Sequence, residues 1–534
     1  MNGAQSLFQA LVDAGVTTCF ANPGTSEMQL VYEIGMTNKI RPVLCLQEDI
    51  VTGAADGYGR MKGAPALTLL HVGSGFANGI AMLHNAGRAN TPMVNVVGAN
   101  ATYHQPNYPE HELINGRVID LTRAVSHWSQ EARSASQLGE LGVEAAAFAK
   151  TGKICTIVAP TNCHWEEASP PPALIAQLAL PRVAEETIAS AAAMLANGKK
   201  TGIVLGNLAL HGEALETGAR IAAKSGATLL AETFPSRYLA KGEGRPVLET
   251  IPYALEVAMR FLSGFEQLLF IGATLPVATF AYRNKPAYKT PAGCALFTVA
   301  SAAEDLVDAL TRLCAETDAG KAEPTRYARA TGEPPRGELS AQSIGESLAL
   351  LIPENAILID EAATNSAFIL GPTVAARAHD YLNPVNGGAI GGGMPMALGA
   401  SIACPDRKVI HLQADGSGMY AVQALWTMAR ENTDVLVIIL KNDAYAILDL
   451  EMARVREAEM NDRMKSMTSL ANPSIDWISI ATGLGVAASR ATSAEDFHAL
   501  MKAAMDERGP RLIECKIPIT REMLALEDYI HKNR

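Results

Sequence analysis

An aspartate and an asparagine that stand 27 residues apart each follow an apolar run in the C-terminal third of the chain. Asp415 follows Val409–Gln413, and Asn442 follows Val435–Leu440, which is typical of a strand buried on both faces. Ligands collect at the carboxyl ends of strands in open parallel sheets, so both side chains would lie on one rim. Their oxygens suit Mg²⁺, which also takes phosphate oxygens. The spacing predicts a magnesium and phosphate site, although an ordinary βαβ unit with an N-cap aspartate and a turn asparagine is the alternative.

A glutamate near the N-terminus stands where a carboxyl group could share a proton with a ligand. Glu48 follows the apolar strand Val43–Leu46 and precedes a Gly- and Ala-rich helix, predicted over Thr52–Met61, that another group can approach closely. A carboxyl group at such a strand mouth is partly desolvated and suited to sharing a proton with a ring nitrogen. The alternative is a carboxylate that is stabilised by the macrodipole of the helix.

Three blocks of alternating strand and helix patterns must position these residues. Residues 1–165, 183–314 and 340–534 each predict an α/β domain, with Pro-containing linkers at Glu166–Pro181 and Ala315–Leu339. We therefore predict three doubly wound domains with parallel sheets. The predicted strands are Thr18–Ala21, Pro42–Leu46, Ala66–His71, Pro92–Val97, Ile154–Val158, Thr201–Leu205, Thr228–Leu230, Gln267–Ile271, Ala295–Val299, Ile357–Asp360, Val409–Gln413 and Val435–Leu440.

Composition excludes several classes of partner. A net charge of −11 over 534 residues argues against nucleic acid and anionic membranes, because both select basic patches. The 8 cysteines include no Cys-x-x-Cys pair, which favours reduced thiols over disulfides or zinc. The N-terminus lacks the basic region of a signal peptide, and no apolar run reaches membrane-spanning length. These features predict a cytoplasmic protein.

Two motifs together resemble the thiamine-diphosphate enzyme family. Ala414–Ser417 followed by Asn442 is similar to that family's metal signature, which usually reads Gly-Asp-Gly-Ser and ends in Asn-Asn. Ala414 and Lys441 depart from it, and neither is a ligand side chain. Leu46-Gln47-Glu48 followed by Gly53–Tyr58 resembles the segment whose glutamate hydrogen-bonds the aminopyrimidine ring. The resemblance extends over nearly the whole chain and implies a pyrimidine-binding, a middle and a diphosphate-binding domain, in that order.

The resemblance implies a metal and cofactor site divided between two domains. Asp415, Asn442 and the carbonyl group of Ala444 would hold Mg²⁺, and Glu48 would bond the cofactor ring. Ile390 matches the residue that props the cofactor in its bent shape. The further cofactor-binding candidates are Asn78, Thr364, Asn365, Gly416, Ser417 and Tyr445.

The substrate side resembles the benzoylformate decarboxylase and short acetolactate-synthase-like branch. Asn22–Glu27 and Leu70-His71 match this branch, which implies that Thr25 and His71 face the substrate. The middle-domain histidine of benzoylformate decarboxylases has no counterpart in 272–282, and two loop histidines are the substitutes that we consider. Three further positions match residues that line the substrate channel in relatives. At one of them a glutamate, Glu451, replaces an aromatic residue, and this change would make the pocket less suited to aryl groups. The loop histidines are His104 and His111, and the channel positions are Ile447, Leu448 and Glu451.

These features predict a thiamine-diphosphate- and Mg²⁺-dependent enzyme that decarboxylates a 2-oxo acid and joins the product to a second carbonyl compound, as acetolactate synthases do. The alternatives are a decarboxylase that releases an aldehyde, and a non-catalytic homologue that binds nucleotide or FAD. Gly202–Gly212 is no dinucleotide fingerprint, so FAD is not expected. The resemblance implies a homodimer or homotetramer with active sites between subunits.

Overall fold

The computed structural model describes residues 1–104, 107, 109–176, 178–455, 457, 459–519 and 523–526. These residues form three parallel-dominated sheets flanked by helices, which confirms the predicted α/β class. Within them, no helix has both the length and the apolar character that crossing a bilayer requires.

The first sheet has six strands in the order β2-β1-β3-β4-β6-β5, all parallel. Its polar edge strand β5 has no apolar pattern, and the sequence did not predict it. The elements are α1 (Gly3–Asp13), β1 (Thr18–Asn22), α2 (Met28–Thr37), β2 (Arg41–Leu44), α3 (Glu48–Lys62), β3 (Ala66–Leu70), α4 (Val72–Arg88), β4 (Met93–Ala99), α5 (Val118–Arg123), β5 (Trp128–Glu131), α6 (Ala135–Ala149), β6 (Ile154–Pro160) and α7 (Thr161–Trp165).

The second sheet has five strands in the order β10-β8-β7-β11-β12. Its four longer strands lie where the apolar runs predicted them. The elements of this segment are α8 (Glu185–Ala196), β7 (Thr201–Leu205), α9 (Gly212–Ser225), β8 (Thr228–Ala231), β9 (Leu239–Lys241), β10 (Glu249–Thr250), α10 (Leu255–Leu262), β11 (Gln267–Ile271), β12 (Ala295–Ala300) and α11 (Leu306–Glu316).

The third sheet has seven strands in the order β17-β18-β16-β15-β13-β14-β9. Its central strands β15 and β16 are the two apolar runs that precede Asp415 and Asn442. The elements are α12 (Ala341–Leu351), β13 (Ile357–Glu361), α13 (Ser366–Thr373), β14 (His379–Leu382), α14 (Gly393–Ala403), β15 (Val409–Ala414), α15 (Asp415–Gly418), α16 (Ala424–Glu431), β16 (Val435–Lys441), α17 (Ala446–Met452), α18 (Asp462–Lys465), α19 (Trp477–Gly483), β17 (Ala487–Ala491), α20 (Ala494–Asp506) and β18 (Arg511–Lys516).

Strand β9 links the second and third blocks of sequence. It lies within the predicted central domain but pairs antiparallel with β14, which makes it the edge of the third sheet. Covering an edge in this way removes exposed backbone hydrogen-bonding groups. A three-residue strand carries too little pattern to be predicted, and the boundaries 1–165, 183–314 and 340–534 stay predictions.

Helix α3 of the first block packs closely along α14 of the third. A Cβ atom added at Gly57 would lie 2.1 Å from the Met396 carbonyl oxygen, and one at Gly399 would lie 1.8 Å from the Ala54 carbonyl oxygen. Glycine lets the two backbones approach because it has no side chain. The Gly- and Ala-rich sequence of α3 predicted that another group could approach this helix closely. In the structure that group is helix α14.

Candidate active site

Glu48 is the first residue of α3, which begins four residues earlier than the predicted helix. The Gln47 side chain caps the helix by accepting a hydrogen bond from the Asp49 amide at 2.7 Å. The Glu48 residue is 7% exposed, and its Oε2 accepts a hydrogen bond of 3.0 Å from Nδ2 of Asn78. Oε1 faces α4 at Gly75, where an added Cβ atom would lie 3.0 Å from it. The structure thus holds one oxygen of a buried carboxyl group and leaves the other without a side-chain partner among the described residues.

His71 lies at the end of β3 against a buried glutamate. Its Nδ1 is 2.8 Å from Oε2 of Glu27 and 3.2 Å from Oγ of Ser26. Glu27 is fully buried, and it also accepts hydrogen bonds from the Gly24 amide and the Ser26 hydroxyl, each at 2.9 Å. A Cβ atom at Gly24 would lie 2.1 Å from the histidine ring, so this turn requires glycine. We did not select Glu27 from the sequence. The signal that could have indicated it was its position in the turn Asn22–Glu27, which matches the family motif.

The structure brings one of the two loop histidines to His71. The ring centre of His111 lies 6.0 Å from that of His71, with the ring planes at 78°. His104 is exposed and its ring contacts Tyr103, and among the described residues it has no ring contact or hydrogen bond with His71. Thr25 is exposed at the start of the turn that carries Glu27. The catalytic roles of these residues stay predictions.

The predicted metal ligands meet on one rim of the third sheet, because β15 and β16 are adjacent and parallel. Asp415 is 1% exposed, and its two oxygens accept hydrogen bonds from the amides of Gly416 at 3.0 Å and Asp443 at 2.8 Å. Oδ1 of Asn442 accepts from the Ala444 amide at 3.0 Å. Asp443 has a φ of 56°, and this left-handed residue turns the chain back along the rim.

The residues of this rim fit a divalent cation. Burial raises the pKa of Asp415 to about 6, and the charge of Asp443 contributes to this rise. A cation bound beside Asp415 would oppose both effects and favour the ionised carboxylate. Within the described residues, no three His, Cys, Asp or Glu side chains are grouped to hold a metal. A cation here would therefore take one carboxylate with amide and carbonyl oxygens, a donor set that suits Mg²⁺ when phosphate oxygens complete it.

Removing the charge of Asp415 is expected to stabilise the metal-free protein increasingly as the pH rises. The native pKa of about 6 exceeds the ordinary 3.8, so native Asp415 holds its proton more tightly and its contribution to stability falls between about pH 4 and 6. The Asp415→Asn variant has no such charge. We expect its melting temperature minus that of the wild type, measured in a chelator, to rise between pH 4 and 7. A difference independent of pH would contradict this.

The two departures from the family's metal motif have ordinary structural explanations. Ala414 has φ −69° and ψ 144°, a conformation that any residue adopts, so glycine is not required there. The Lys441 ammonium group lies 3.0 Å from the Asp443 carboxylate and hydrogen-bonds the Ser474 hydroxyl. Ser474 in turn donates to Asp443 at 2.7 Å. Lys441 therefore stabilises the turn that follows β16. We call the strand ends that carry Asp415 and Asn442 the metal rim, after the metal site proposed there.

A buried glutamate accepts hydrogen bonds from the neighbouring glycine loop, residues 387–393. Glu361, at the end of β13, accepts hydrogen bonds from the amides of Gly391 and, at 2.7 Å, Gly393. Burial raises the pKa of Glu361 to about 7. Tyr420 packs against this loop, since a Cβ atom at Gly391 would lie 2.5 Å from Cβ of Tyr420. We did not predict this role of Glu361 from the sequence.

The remaining cofactor candidates surround the same rim. Thr364 and the buried Asn365 lie in the turn after β13, and Ile390, within the glycine loop, is 39% exposed. Ser417 accepts a hydrogen bond of 2.6 Å from Gln413, so its hydroxyl is held inside the protein. Tyr445 packs against Gly416, where an added Cβ atom would lie 2.4 Å from its ring. Their cofactor contacts stay predictions.

Comparisons with known proteins agree with this arrangement. Residues 1–120 match the model of the thiamine pyrophosphate enzyme N-terminal TPP-binding domain, and residues 370–515 match that of the C-terminal TPP-binding domain. The acetolactate synthase large-subunit-like protein IlvX of Mycobacterium tuberculosis is 39% identical over 97% of this chain and 99% of its own. Benzoylformate decarboxylase of Pseudomonas aeruginosa is 28% identical over 95% of this chain and 97% of its own.

The fold is also that of a solved enzyme. The thiamine diphosphate-dependent 4-hydroxybenzoylformate decarboxylase of Rhodococcus jostii superposes with a TM-score of 0.80 over 97% of this chain and 100% of its own. Its sequence identity is 23%, so this likeness concerns the fold.

Proposed function

Because the chain belongs to the thiamine pyrophosphate enzyme family, we propose that it is a thiamine-diphosphate- and Mg²⁺-dependent enzyme that decarboxylates a 2-oxo acid and joins the product to a second carbonyl compound. The observation that carries the proposal is the buried Glu48 carboxyl group, held by Asn78 and with one oxygen left for a ligand. Supporting it, the middle-domain segment 272–282 contains no histidine that could protonate the decarboxylated product. A cytoplasmic location stays a prediction.

The chain's own residues would divide the work. Asp415, Asn442 and the Ala444 carbonyl group would hold Mg²⁺ at the rim, and the bound cofactor would supply the carbon nucleophile and hold the electron pair that loss of CO₂ releases. Glu48 would share a proton with the aminopyrimidine ring and so keep it in its reactive tautomer. His71, held through Nδ1 by Glu27, would present its other ring nitrogen to the substrate and move a proton there.

A second candidate function is decarboxylation with release of an aldehyde. The observation that favours it is the pair His71 and His111, whose rings lie 6.0 Å apart and could deliver a proton to the product. Supplying the loaded enzyme with several 2-oxo acids, pyruvate among them, and an acceptor aldehyde distinguishes the two functions. Carboligation predicts a hydroxyketone and consumption of the acceptor, whereas aldehyde as the sole product from every 2-oxo acid would contradict it.

We propose that the active site forms between two subunits. In the described residues of one chain, no hydrogen bond or ion pair joins Glu48 to the metal rim, and the polar contacts of its carboxyl group stay within the first block. A homodimer is the smallest assembly that would complete such a site, and a homotetramer would contain two of these dimers.

Mixing two inactive variants tests the shared site. Glu48→Ala and Asp415→Ala chains, unfolded and refolded together, are expected to recover about a quarter of the wild-type activity, because half of the dimers would be mixed and each would contain one intact site. Each variant refolded alone is the control. Failure to recover activity, with mixed dimers confirmed by mass spectrometry, would place both groups in one chain.

A third possibility, a non-catalytic homologue with nucleotide or FAD in its middle domain, has less support. At the carboxyl ends of β7 and β11 the backbones close on each other, since the Gly206 amide donates to the Ile271 carbonyl oxygen at 3.0 Å. The Glu232 carboxyl group accepts from the Asn207 amide at 3.3 Å and so occupies a donor that a diphosphate would need. A purified protein that absorbs near the flavin maximum would contradict our proposal that FAD is absent.

A further inference from the structure

The glycine loop is held against helix α4 by one buried side chain. Asn85 is 1% exposed and lies two turns after Asn78 on that helix. Its amide nitrogen donates to the carbonyl oxygens of Pro384 and Ala389, both at 2.8 Å. Its amide oxygen accepts from the backbone amides of Gly387 at 3.1 Å and Ala389 at 3.2 Å. Backbone groups in and just before the loop therefore use the two donors and the two acceptor positions of the asparagine side chain.

A buried carboxylate holds the other end of the loop. Glu361 is 4% exposed, and its two oxygens accept hydrogen bonds from the amides of Gly391 and, at 2.7 Å, Gly393. Gly391 has a φ of 92°, a conformation that glycine adopts without strain. A Cβ atom added at Gly391 would lie 3.3 Å from the Ser417 carbonyl oxygen. This end of the loop therefore lies against the turn that follows Asp415 at the metal rim.

Ile390 is fixed between these two side chains, which we call the loop anchors. On one side, Ala389 is bonded to Asn85 through both its amide and its carbonyl group. On the other side, the Gly391 amide is bonded to Glu361. The Ile390 residue between them is 39% exposed, so its side chain is open to a ligand. A loop that is ordered in advance loses little conformational freedom when a ligand binds, and this strengthens binding.

The entry to the loop is held from α3 and from the middle block. Arg60 is fully buried and donates to the Asn383 carbonyl oxygen and to Oδ1 of Asn386, each at 2.9 Å. The Asn386 side chain donates in turn to the Phe234 carbonyl oxygen at 2.9 Å. All three blocks of the chain thus contribute hydrogen bonds to the segment that presents Ile390.

We propose that Asn85 and Glu361 are positioning residues that hold Ile390 against the ring part of the cofactor. The inference rests on the proposed function, since it requires thiamine diphosphate at the metal rim. Both anchors bond the backbone of the loop, so they act on the cofactor through Ile390. An apolar side chain suits the rings of the cofactor and not its charged diphosphate. Loosening an anchor should therefore weaken the ring contacts and preserve the diphosphate and metal contacts.

Comparing two ligands that share the diphosphate group tests the proposal. Calorimetry with saturating Mg²⁺ measures the binding of thiamine diphosphate and of inorganic pyrophosphate, which has no rings. Asn85→Ala removes the hydrogen bonds on one side of Ile390, and Glu361→Gln turns an NH₂ group toward one of the two loop amides. We expect each variant to bind thiamine diphosphate about tenfold more weakly and pyrophosphate within about threefold of the wild type.

A double-mutant cycle tests whether the anchors act through Ile390. Ile390→Ala alone is expected to weaken thiamine diphosphate binding about as much as Glu361→Gln does. Because both changes would remove the same ring contact, the double variant should lose less than the product of the two single losses. Losses that multiply in full would overturn the role of Ile390 in the proposal.

Two matched variants control for loss of stability. Asn95→Ala removes another buried asparagine of the first block, one that bonds Thr68 and Thr156. Glu514→Gln changes another buried glutamate of the third sheet, one that accepts from Arg490. Both are expected to lower the melting temperature and to keep the wild-type ratio of the two affinities.

The outcomes separate this inference from the proposed function. Equal weakening of both ligands in the anchor variants would show a structural role alone and overturn the inference, as would unchanged thiamine diphosphate binding. The proposed function would stand in either case. A wild-type protein that binds no thiamine diphosphate in the presence of Mg²⁺ would overturn the proposed function, and the inference with it.

Discussion

Replacing Glu48 by alanine is expected to lower turnover of 2-oxo acids by about 10³-fold, the scale of a lost proton-transfer group, while the cofactor still binds. The carboxyl group is buried at the start of α3 with one oxygen free for a ligand, and no other described carboxyl group bonds Asn78. The proposed diphosphate and metal contacts would belong to the other half of the site, so they should persist. Turnover measured beside calorimetric binding of thiamine diphosphate with Mg²⁺ separates the two effects.

Two further variants sharpen this test. Glu48→Gln keeps the acceptor for Asn78 but cannot take part in proton sharing, and we expect it to be nearly as inactive as the alanine variant. Glu33→Gln changes another buried carboxyl group of the same block, one that accepts from Asn2 and Gln29, and should stay within about threefold of the wild type. Turnover by Glu48→Gln at the wild-type rate would exclude the proposed role of Glu48.

Replacing Asp415 by alanine is expected to weaken cofactor binding at least about 100-fold and to remove activity at ordinary cofactor concentrations. Asp415 is the only carboxylate that we assign to the cation, and its oxygens also accept the amides of Gly416 and Asp443. The variant would lose both the proposed metal ligand and the acceptor that anchors the turn. Calorimetry with thiamine diphosphate, at several Mg²⁺ concentrations, measures the loss.

A chelator should reproduce the effect of the Asp415 substitution in the wild-type protein. Mg²⁺ added back is expected to restore cofactor binding to the wild type and not to Asp415→Ala. Asp462→Asn, which removes an exposed carboxylate from the same block, serves as the matched control and should bind the cofactor normally. Unchanged affinity in Asp415→Ala would show that the metal is held elsewhere.

The sequence by itself determined the α/β class and the placement of Asp415 and Asn442 at the ends of adjacent strands on one rim. Both depend on local pattern: an apolar run forms a buried strand, and the carboxyl ends of parallel strands meet at one edge of the sheet. Glu48 was selected for a similar reason, as a carboxyl group between an apolar strand and a Gly- and Ala-rich helix. The exact start of α3 was missed because the cap is a side chain of Gln47, and such a contact leaves no periodic signal.

Only the tertiary structure decided which groups support these residues. Glu451 accepts hydrogen bonds from Arg454 and Tyr282, and Arg454 also donates to Glu256. Tyr282 and Glu256 both lie more than 160 residues before these two residues along the chain. The pairing of Glu27 with His71, and of His111 rather than His104 with His71, likewise depends on how separate loops meet.

The local sequence pattern predicts where a single strand or helix forms and which of its faces is buried. Pairings between distant segments are fixed by the packing of whole domains, because burial makes each charged side chain find a partner wherever the fold supplies one. The two strand ends that carry Asp415 and Asn442 could therefore be predicted from the chain in order, whereas the partners of Glu48, His71 and Lys441 could not.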